Sequence, residues 1–294
     1  MIRTLENCPA PAKLNLFLHV TGRRADGYHL LQTAFQLIDR ADLLHFRLRD
    51  DERIHRVTEV AGVPEDSDLI VRAAKLLQES APRANPIPRG VEIAIDKRLP
   101  MGGGLGGGSS DAATTLMALN HLWQTGLTRT ELMALGLRLG ADVPFFIFGR
   151  SAFAEGIGEE LAPIDTPECW YLVIEPGVQV PTAAIFGSNQ LTRNTKAVRI
   201  TDFSEALRNS RDFGKNDLQV VAAELFPPVA EAIEWLGNHG NARMTGSGAC
   251  VFCPFEQERE VDEILQAITA DRPRWKAWKA RALTQHPLAH LLQS

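Results

Sequence analysis

Long hydrophobic runs are missing from this 294-residue sequence. The most apolar early stretch, AKLNLFLHV at residues 12–20, contains Lys13 and is too short to span a bilayer. The opening residues MIRTLENCPAP lack the apolar core region of a secretory signal. We therefore expect no membrane association and a cytoplasmic location.

Cysteine is scarce, and the chain has four: Cys8, Cys169, Cys250 and Cys253. Cys250 and Cys253 have the CxxC spacing of many metal sites, but no second pair or nearby histidine completes a zinc set. The segment ACVFC also predicts a strand, in which residues three apart point to opposite faces. We therefore expect buried, reduced thiols rather than a zinc site.

A strong excess of charge is also absent, because the formal net charge is −5. This balance gives no support to a broad nucleic-acid-binding surface, and we expect no nucleic-acid partner. The apolar content of 45% and charged content of 23% are ordinary for a soluble globular protein. The length suggests about two domains.

Several segments have the alternation of strands. Residues 13–20 predict a strand that carries Lys13 and Asn15 on one shared face, opposite an aliphatic stripe. Asp26-Gly27 predicts a turn within residues 22–29. The segments LLQTAFQLID and DLLHFRL predict two further ordered elements, the second a strand. Residues 91–99, WYLVIEP and ACVFC predict three more strands.

Other segments have helical spacing. Residues 68–79 predict a helix with Asp68 as its N-cap. Ala112, Leu116, Leu119 and Trp123 predict a second helix, and the leucines of residues 132–139 predict a third. VAAEL and VAEAIEWL predict helical structure later in the chain. Strands and helices mixed without a regular βαβ rhythm predict the α+β class, with a domain boundary near residues 165–169.

Six glycines occupy the seven positions 102–108, directly between a predicted strand and a predicted helix. A mobile linker would explain the flexibility but not this abrupt context. Glycine lets backbone amides approach a ligand closely, and a helix N-terminus adds unpaired amides and a positive dipole end. The run, hereafter the glycine run, therefore predicts a phosphate-binding loop.

Common phosphate-binding motifs do not fit the glycine run. A Rossmann site needs a second strand with an acidic residue about 20 positions later, where this chain has the helical segment LTRTELMALGLRL. A Walker loop ends in Gly-Lys-Ser/Thr, whereas Gly108 is followed by Ser109 and Ser110. The HRD catalytic loop of protein kinases is absent as well. The predicted cradle is therefore of another kind.

Five separated segments resemble one superfamily. PMGGGLGGGSSDAA at 100–113 is similar to the glycine-rich signature of the GHMP kinases, named after galactokinase, homoserine kinase, mevalonate kinase and phosphomevalonate kinase. PAKLNLFLHVTGRRADGYH at 11–29 and RMTGSGACVF at 243–252 resemble the superfamily's first and third motifs. Together with GADVPFF and AFAEGIGEEL, the first motif closely resembles the family of 4-diphosphocytidyl-2-C-methyl-D-erythritol kinases. The likeness extends from about residue 9 to residue 253.

This resemblance implies a two-domain GHMP kinase fold with the active site in the cleft between domains. Residues 1–165 would form the ATP-binding and catalytic domain, and residues 166–294 a domain that contributes to substrate binding. The implied reaction moves the γ-phosphoryl group of ATP, with Mg²⁺, to the 2-hydroxyl of a cytidine-diphosphate-linked sugar alcohol, a step of the non-mevalonate route to isoprenoid precursors. We expect a monomer or a weak homodimer.

The resemblance assigns the catalytic roles to Asp142 and Lys13. A carboxylate at Asp142 can accept the hydroxyl proton, although an aspartate before an apolar run is equally suited to be a helix N-cap. An ammonium at Lys13 would stabilise developing negative charge, although a lysine on a polar strand face is usually only solvated.

The resemblance also assigns two binding regions. The predicted ATP-binding residues are Lys97, Gly103, Gly104, Gly106, Gly107, Gly108, Ser109, Ser110 and Asp68. Asn is common in relatives at the positions of Asp68 and Asp111, and an aspartate cannot donate as an amide can. Ser109, Ser110 and Asp111 are equal candidates for a magnesium ligand. Gly246-Ser247-Gly248 is expected to close the phosphate end.

The predicted substrate-binding residues are Asn15, Tyr28, His29, Thr182 and Phe186. Tyr28 and His29 match a cytidine-recognising pair, since an aromatic platform and edge hydrogen bonds suit a pyrimidine. Phe186 matches the opposing aromatic, although a lone aromatic is more often part of a core. A mevalonate or homoserine kinase of the same superfamily and a non-catalytic nucleotide or sugar sensor remain the alternatives.

Overall fold

The computed structural model describes residues 2–82, 88–209 and 213–292. Its strands are β1 (Thr4–Arg23), β2 (His29–Leu48), β3 (Ile54–Arg56), β4 (Val91–Asp96), β5 (Ala152–Glu155), β6 (Glu160–Pro163), β7 (Trp170–Glu175), β8 (Arg243–Met244), β9 (Val251–Phe255) and β10 (Lys276–Leu283). Its helices are α1 (Leu69–Ser80), α2 (Gly107–Leu122), α3 (Arg129–Leu137), α4 (Val143–Phe148), α5 (Thr182–Gly187), α6 (Ile200–Asn209), α7 (Asp217–Leu225), α8 (Pro227–Gly237) and α9 (Glu258–Asp271). Short 3₁₀ helices cover Glu65–Ser67 and Ala289–Leu292.

The long strand β2 organises the sheet. β1 pairs antiparallel along nearly its whole length, while β5, β10 and β4 pair in turn with successive parts of β2. β10 joins β2 through Ala282 and Leu283 and continues the sheet to β7, β9 and β8. β3 is parallel to β4. Among the described residues, the β2–β10 ladder therefore connects the strands of the first half to those of the second, and an isolated bridge between Leu18 and Asn216 adds a further link.

β1 contributes to the hydrophobic cores of both halves. Its register against β2 is irregular between Asn15 and Leu18, where β1 advances three residues for two on β2. Such a bulge bends a strand and re-aims its side chains. Leu18 and Val20, beyond the bulge, are buried among residues of β7, α7 and α8. The bulge therefore lies between the two cores, next to Lys13 and Asn15.

The two main cores pack helices against sheet. The first packs β2 and β4 against α1, α2 and α4, and it includes Leu288 and Leu291 from the end of the described chain. The second packs β7 and β9 against α5, α7, α8 and α9. Each core therefore takes residues from both sides of position 165, and the domain boundary placed there stays a prediction.

Most predicted elements are confirmed, with corrections at their ends. The helix over 68–79 is α1, and the Asp68 side chain accepts the Ile70 amide at 2.9 Å as its N-cap. The two elements expected over residues 30–48 are one continuous strand, β2. The strand expected over 91–99 ends at Asp96, because Asp42 captures the backbone amides of Arg98 and Leu99 at 2.6 and 2.7 Å.

The α+β class and the cysteine prediction are also confirmed, since all four cysteines are buried free thiols. Helices α5, α6 and α9 and strands β3, β5, β6, β8 and β10 had no counterpart among the predicted elements. Within the described ranges, none of the helices has the length and apolar character needed to cross a membrane. The segment PRANPIPRG at residues 82–90, whose three prolines predict a loop, falls mostly on residues 83–87, outside the described residues.

Candidate functional site

A cavity of about 990 Å³ lies between the two halves of the molecule. Its walls are the glycine run, the polar face of β1, the beginnings of α1 and α4, the turn before β2, α5, and the loop at residues 246–248. Nearly all predicted site residues line it: Lys13, Asn15, Tyr28, His29, Asp68, Lys97, Gly103, Gly104, Gly106, Gly107, Gly108, Ser109, Asp142, Thr182 and Phe186. Ser110 is the exception, because it is fully buried and its hydroxyl donates to the Pro11 carbonyl at 2.7 Å.

The glycine run is anchored from both sides by backbone hydrogen bonds. The Lys13 amide donates to the Leu105 carbonyl at 2.9 Å, and the Cys250 amide donates to the Gly103 carbonyl at 3.1 Å. The run then enters α2 through Gly106, whose φ of 72° is in the left-handed region. The first amides of a helix have no intrahelical acceptor, so the start of α2 presents free donors at the cavity wall.

Glycine is required at the closest approach between the run and the loop at residues 245–248. A Cβ on Gly104 would lie 2.1 Å from the Thr245 carbonyl oxygen, and a Cβ on Gly246 would lie 2.9 Å from the Gly104 carbonyl oxygen. The Thr245 hydroxyl adds a 3.3 Å hydrogen bond to the Gly104 carbonyl. The two loops therefore pack backbone against backbone and form one continuous wall.

Lys13 lies on the cavity wall beside these two loops. Its side chain is 4% exposed, its ammonium donates to Asn15 Oδ1, and Nζ lies 3.7 Å from Asp142 Oδ2. Asn15 is itself fixed, because its Nδ2 donates to Thr33 Oγ1 at 2.9 Å and its backbone amide donates to Thr245 Oγ1 at 3.0 Å. The ammonium is thus positioned by β1 and by the 245–248 loop together.

Burial is the dominant influence on the pKa of Lys13 and lowers it, while the Asp142 carboxylate opposes that shift. A buried ammonium is costly because it leaves water without full compensation. The nearby carboxylate is what favours its charged form.

Asp142 occupies the N-cap position of α4, but its carboxylate makes no capping hydrogen bond. Pro144 lies in the first turn of α4 and has no amide proton to offer such a cap. The carboxylate is 34% exposed and faces Lys13 from the cavity wall. Of the two roles that the sequence left open for Asp142, the structure does not show the capping bond and leaves the carboxylate available to a ligand.

A second group of charges lies beside the glycine run. Lys97 Nζ contacts Asp111 Oδ2 at 2.7 Å and also pairs with the buried Asp42. Burial disfavours the charged form of Lys97, but Asp111 and Asp42 outweigh it, and the pKa of Lys97 is raised. Burial raises the pKa of Asp111, against the effect of Lys97. The Lys97 ammonium is therefore committed to two carboxylates rather than free for a phosphate.

Asp68 lines the cavity with both carboxylate oxygens already used. Oδ1 caps α1, and Oδ2 pairs with the Arg56 guanidinium, which also donates to the Val63 carbonyl at 2.9 Å. The structure therefore gives Asp68 a role in holding the start of α1 against the preceding loop. Its contact with a nucleotide stays a prediction.

The aromatic end of the cavity joins both halves. The His29 ring lies 4.9 Å from the Phe186 ring at an interplanar angle of 34°. Tyr28 is 62% exposed at the cavity edge. Thr182 Oγ1 lies 2.8 Å from Ser247 Oγ, so the start of α5 is linked to the 245–248 loop. The wall thus runs without a break from the glycine run to Phe186.

Several residues that shape the site carried no signal in the sequence. Thr245 lies within the motif RMTGSGACVF, but the predicted role of that motif rests on Gly246-Ser247-Gly248. Asp42 and Thr33 lie in the interior of β2. Arg193 follows α5 and contacts His29 through a 3.1 Å hydrogen bond. Each acts through a partner more than 15 positions away, which local pattern does not reveal.

Comparison with known proteins identifies relatives over the whole chain. Residues 68–150 match the family description "GHMP kinases N terminal domain", and residues 194–273 match "GHMP kinases C terminal". A 4-diphosphocytidyl-2-C-methyl-D-erythritol kinase of Herminiimonas arsenicoxydans is 71% identical over 99% of both chains, and one of Janthinobacterium sp. (strain Marseille) is 69% identical over 100% of both. A crystal structure of 4-(cytidine 5'-diphospho)-2C-methyl-D-erythritol kinase matches with a TM-score of 0.81 and 35% identity, covering 95% of this chain and 99% of that one.

The backbone contact at Gly104 generates the first prediction. Gly104 and Gly102 have similar φ values of +75° and +71°, but a Cβ on Gly102 meets nothing within 4 Å. Gly102→Ala should therefore cost only the backbone strain, about 1 kcal/mol of unfolding free energy. Gly104→Ala adds the clash with Thr245 and should cost about 3 kcal/mol or more.

Urea unfolding of the two variants measures this difference. Equal losses in both variants would show that the two loops do not pack as tightly as the structure indicates.

Proposed function

We propose, since this chain belongs to the family of 4-diphosphocytidyl-2-C-methyl-D-erythritol kinases within the GHMP kinases, that it phosphorylates the 2-hydroxyl of 4-diphosphocytidyl-2-C-methyl-D-erythritol. This reaction is a step of the non-mevalonate route to isoprenoid precursors. The observation that carries the proposal is the uncapped Asp142 carboxylate, 3.7 Å from the buried Lys13 ammonium and on the same cavity wall as the glycine run.

Family membership confirms the predicted GHMP kinase fold and an ATP-dependent small-molecule kinase activity. The alternative of a non-catalytic sensor is therefore set aside. What remains as proposal is the identity of the acceptor and the role of each residue.

We place the phosphates at the glycine run. A side chain on Gly106 would lie 3.2 Å from Lys13 Cγ, so the start of α2 and the lysine stem are adjacent. Free amides at the start of α2 would bind the phosphate oxygens, and the helix dipole would favour their charge. This places the γ-phosphate beside Lys13 and Asp142, where a hydroxyl from the other end of the cavity could meet it.

We assign Asp142 to the acceptor hydroxyl. A carboxylate that accepts the hydroxyl proton both orients the oxygen and increases its nucleophilicity, and the proton moves to the carboxylate oxygen. The neighbouring Lys13 ammonium would stabilise the negative charge that spreads over the transferring group. Asn15 would then act on the reaction by holding Lys13, since both ends of its amide are engaged within the protein.

The proposed reaction uses ATP together with Mg²⁺. No group of three or more His, Cys, Asp or Glu side chains able to hold a metal occurs in the described part of the chain. Mg²⁺ commonly binds through substrate phosphates, waters and one or two protein oxygens, so such a site does not require a protein cage. When bound, it would neutralise phosphate charge.

Of the three candidate ligands, Ser109 and Asp111 fit the position. Ser110 is engaged with Pro11, whereas Asp111 lines the cavity and uses only Oδ2 for Lys97, so that its buried Oδ1 has no hydrogen-bond partner among the described residues. Ser109 lines the cavity as well.

The aromatic end favours a cytidine acceptor over mevalonate or homoserine. Tyr28, His29 and Phe186 provide an exposed ring, an imidazole edge and an opposing ring at one end of the cavity. An aromatic slot with hydrogen-bonding groups suits a nucleobase, whereas a small hydroxy acid has no use for it.

Incubation with ATP, magnesium and each of the three acceptors, followed by phosphorus NMR, tests the proposed function. A new phosphomonoester resonance with 4-diphosphocytidyl-2-C-methyl-D-erythritol alone is expected. Transfer to mevalonate or homoserine instead would sink the assignment of the acceptor and leave the kinase activity in place.

Asp142→Asn should lower kcat by about 10³-fold, because the amide cannot take the hydroxyl proton. ATP affinity should be unchanged, since the phosphates are held elsewhere, and equilibrium binding of an ATP analogue checks this. Asp165→Asn is the matched control, because Asp165 is fully exposed and its one ion pair within the described part of the chain is with Arg150 at 3.6 Å. If Asp142→Asn retained substantial turnover, Asp142 would lose the role assigned to it.

The lowered pKa of Lys13 predicts how the rate depends on pH. Deprotonation removes the positive charge at the site, so kcat/KM should fall at alkaline pH with a midpoint below the ordinary lysine value of 10.5. Because Lys13 binds its proton less tightly in the folded than in the unfolded chain, its contribution to stability rises with pH over this interval. Circular dichroism should therefore report a folded protein where activity is lost, and a flat rate up to pH 10.5 would contradict the assignment.

A further inference from the structure

Arg193 makes a network of hydrogen bonds at the aromatic end of the cavity. Its Nη2 donates to the carbonyls of Phe186 and Ser188 at 2.9 and 2.8 Å, and its Nη1 donates to the carbonyl of Leu191 at 3.1 Å. Its Nε donates to His29 Nε2 at 3.1 Å. One guanidinium therefore ties the end of α5, which carries Phe186, to the imidazole at the start of β2.

The bond to His29 has a chemical consequence for the imidazole. A guanidinium has five N–H donors and no acceptor, so the atom that it meets must offer a lone pair. His29 Nε2 is therefore unprotonated. The bare Nε2 makes the ring neutral. Burial and the positive charges of Arg193 and Arg23, all of which lower the pKa of His29, favour that neutral form. A neutral imidazole with a bare Nε2 carries its proton on Nδ1.

The remaining ring nitrogen is available to a ligand. His29 Nδ1 has no hydrogen-bond partner among the described residues, and the His29 ring lines the cavity against Phe186. At the aromatic end, His29 therefore presents an N–H donor rather than an acceptor.

We propose that Arg193 is a positioning residue that fixes the Nδ1–H tautomer of His29 and thereby makes the site select a pyrimidine with an acceptor edge. Cytosine offers lone pairs at ring N3 and O2, whereas uracil carries a proton at N3. O2 accepts in both bases, so N3 carries the discrimination: a fixed donor opposite N3 bonds to cytosine, whereas uracil at that place leaves two donors facing each other. The proposal rests on the proposed function, since it concerns the base of the same acceptor.

Arg193 also fixes the distance between the Phe186 ring and the His29 ring. Because the same guanidinium holds the Phe186 carbonyl, the stacking ring and the hydrogen-bonding ring are kept in register. If a variant only loosened the contact between Phe186 and His29, cytidine and uridine substrates would both bind more weakly, by the same factor. If a variant released the Nδ1–H tautomer of His29, the preference for cytidine over uridine would fall. The ratio of kcat/KM for the two substrates therefore distinguishes a structural effect from loss of the tautomer.

Kinetics with the cytidine substrate and its uridine counterpart tests the proposal in three variants. Arg193→Gln replaces the guanidinium with an amide that can accept as well as donate, so the tautomer is no longer fixed. The ratio of kcat/KM for cytidine over uridine should fall about tenfold, through a higher KM for the cytidine substrate, with kcat and the KM for ATP unchanged. Arg193→Lys keeps a pure donor and should retain most of the ratio.

Arg199→Gln is the matched control. Arg199 lies six positions further along the same segment, pairs only with Asp202 among the described residues, and has an 80% exposed side chain. The ratio of kcat/KM for cytidine over uridine in Arg199→Gln should equal that of the unmodified protein.

Nitrogen NMR of ¹⁵N-histidine-labelled protein gives a readout that does not depend on activity. His29 should show a protonated Nδ1 and a bare Nε2, and Arg193→Gln should show a mixture of tautomers. His29→Gln identifies the His29 resonances.

A protonated Nε2 in the unmodified protein, or an unchanged base ratio in Arg193→Gln, would overturn the proposal. Failure of the proposed function is recognised separately, because the unmodified protein would then not phosphorylate the cytidine substrate while the tautomer could still be measured.

Discussion

The backbone contact between the glycine run and the 245–248 loop is the constraint on which the site depends. Gly104 and Gly246 let two chains meet where a side chain would collide with carbonyl oxygens. That contact joins the first half of the molecule to the second, and Thr245 extends it to β1 through the Asn15 amide. These two loops form one end of the cavity, and α5 together with the turn before β2 forms the other end.

The site is assembled from groups that reduce stability when considered singly. A buried ammonium at Lys13, a helix N-cap without its capping bond at Asp142, and a buried carboxylate at Asp111, whose pKa is raised by burial, each work against folding. The two main cores supply the compensation, with α2 almost wholly buried between α1, α4 and the sheet. The Lys13 ammonium is thus shielded from water at the place where it would stabilise the negative charge of a transferring phosphoryl group.

Local pattern was informative wherever a segment's own neighbours decide its conformation. The alternation of residues 13–20 correctly placed Lys13 and Asn15 on one face, and Asp68 was correctly predicted as a helix cap. Local pattern did not predict features that depend on a distant partner. β4 ends early because the two amides that follow it, those of Arg98 and Leu99, donate to Asp42. β1 bends because its two ends belong to different cores. Ser110 was grouped with Ser109, but the helix turns its hydroxyl towards Pro11.

The sequence by itself determined the chemistry of the protein: its α+β class, the glycine-rich loop before α2, and a set of motifs that identifies the kinase family. These features are local, because glycine content, capping residues and periodicity act within a few positions. Only the tertiary structure decided which side chains are available to a ligand. Asp142 faces Lys13, Lys97 is neutralised by Asp42 and Asp111, and His29 has its tautomer set by Arg193. Hydrogen-bond partners are chosen by proximity in space, and residues 129 or 164 positions apart become neighbours only when the sheet and loops are in place.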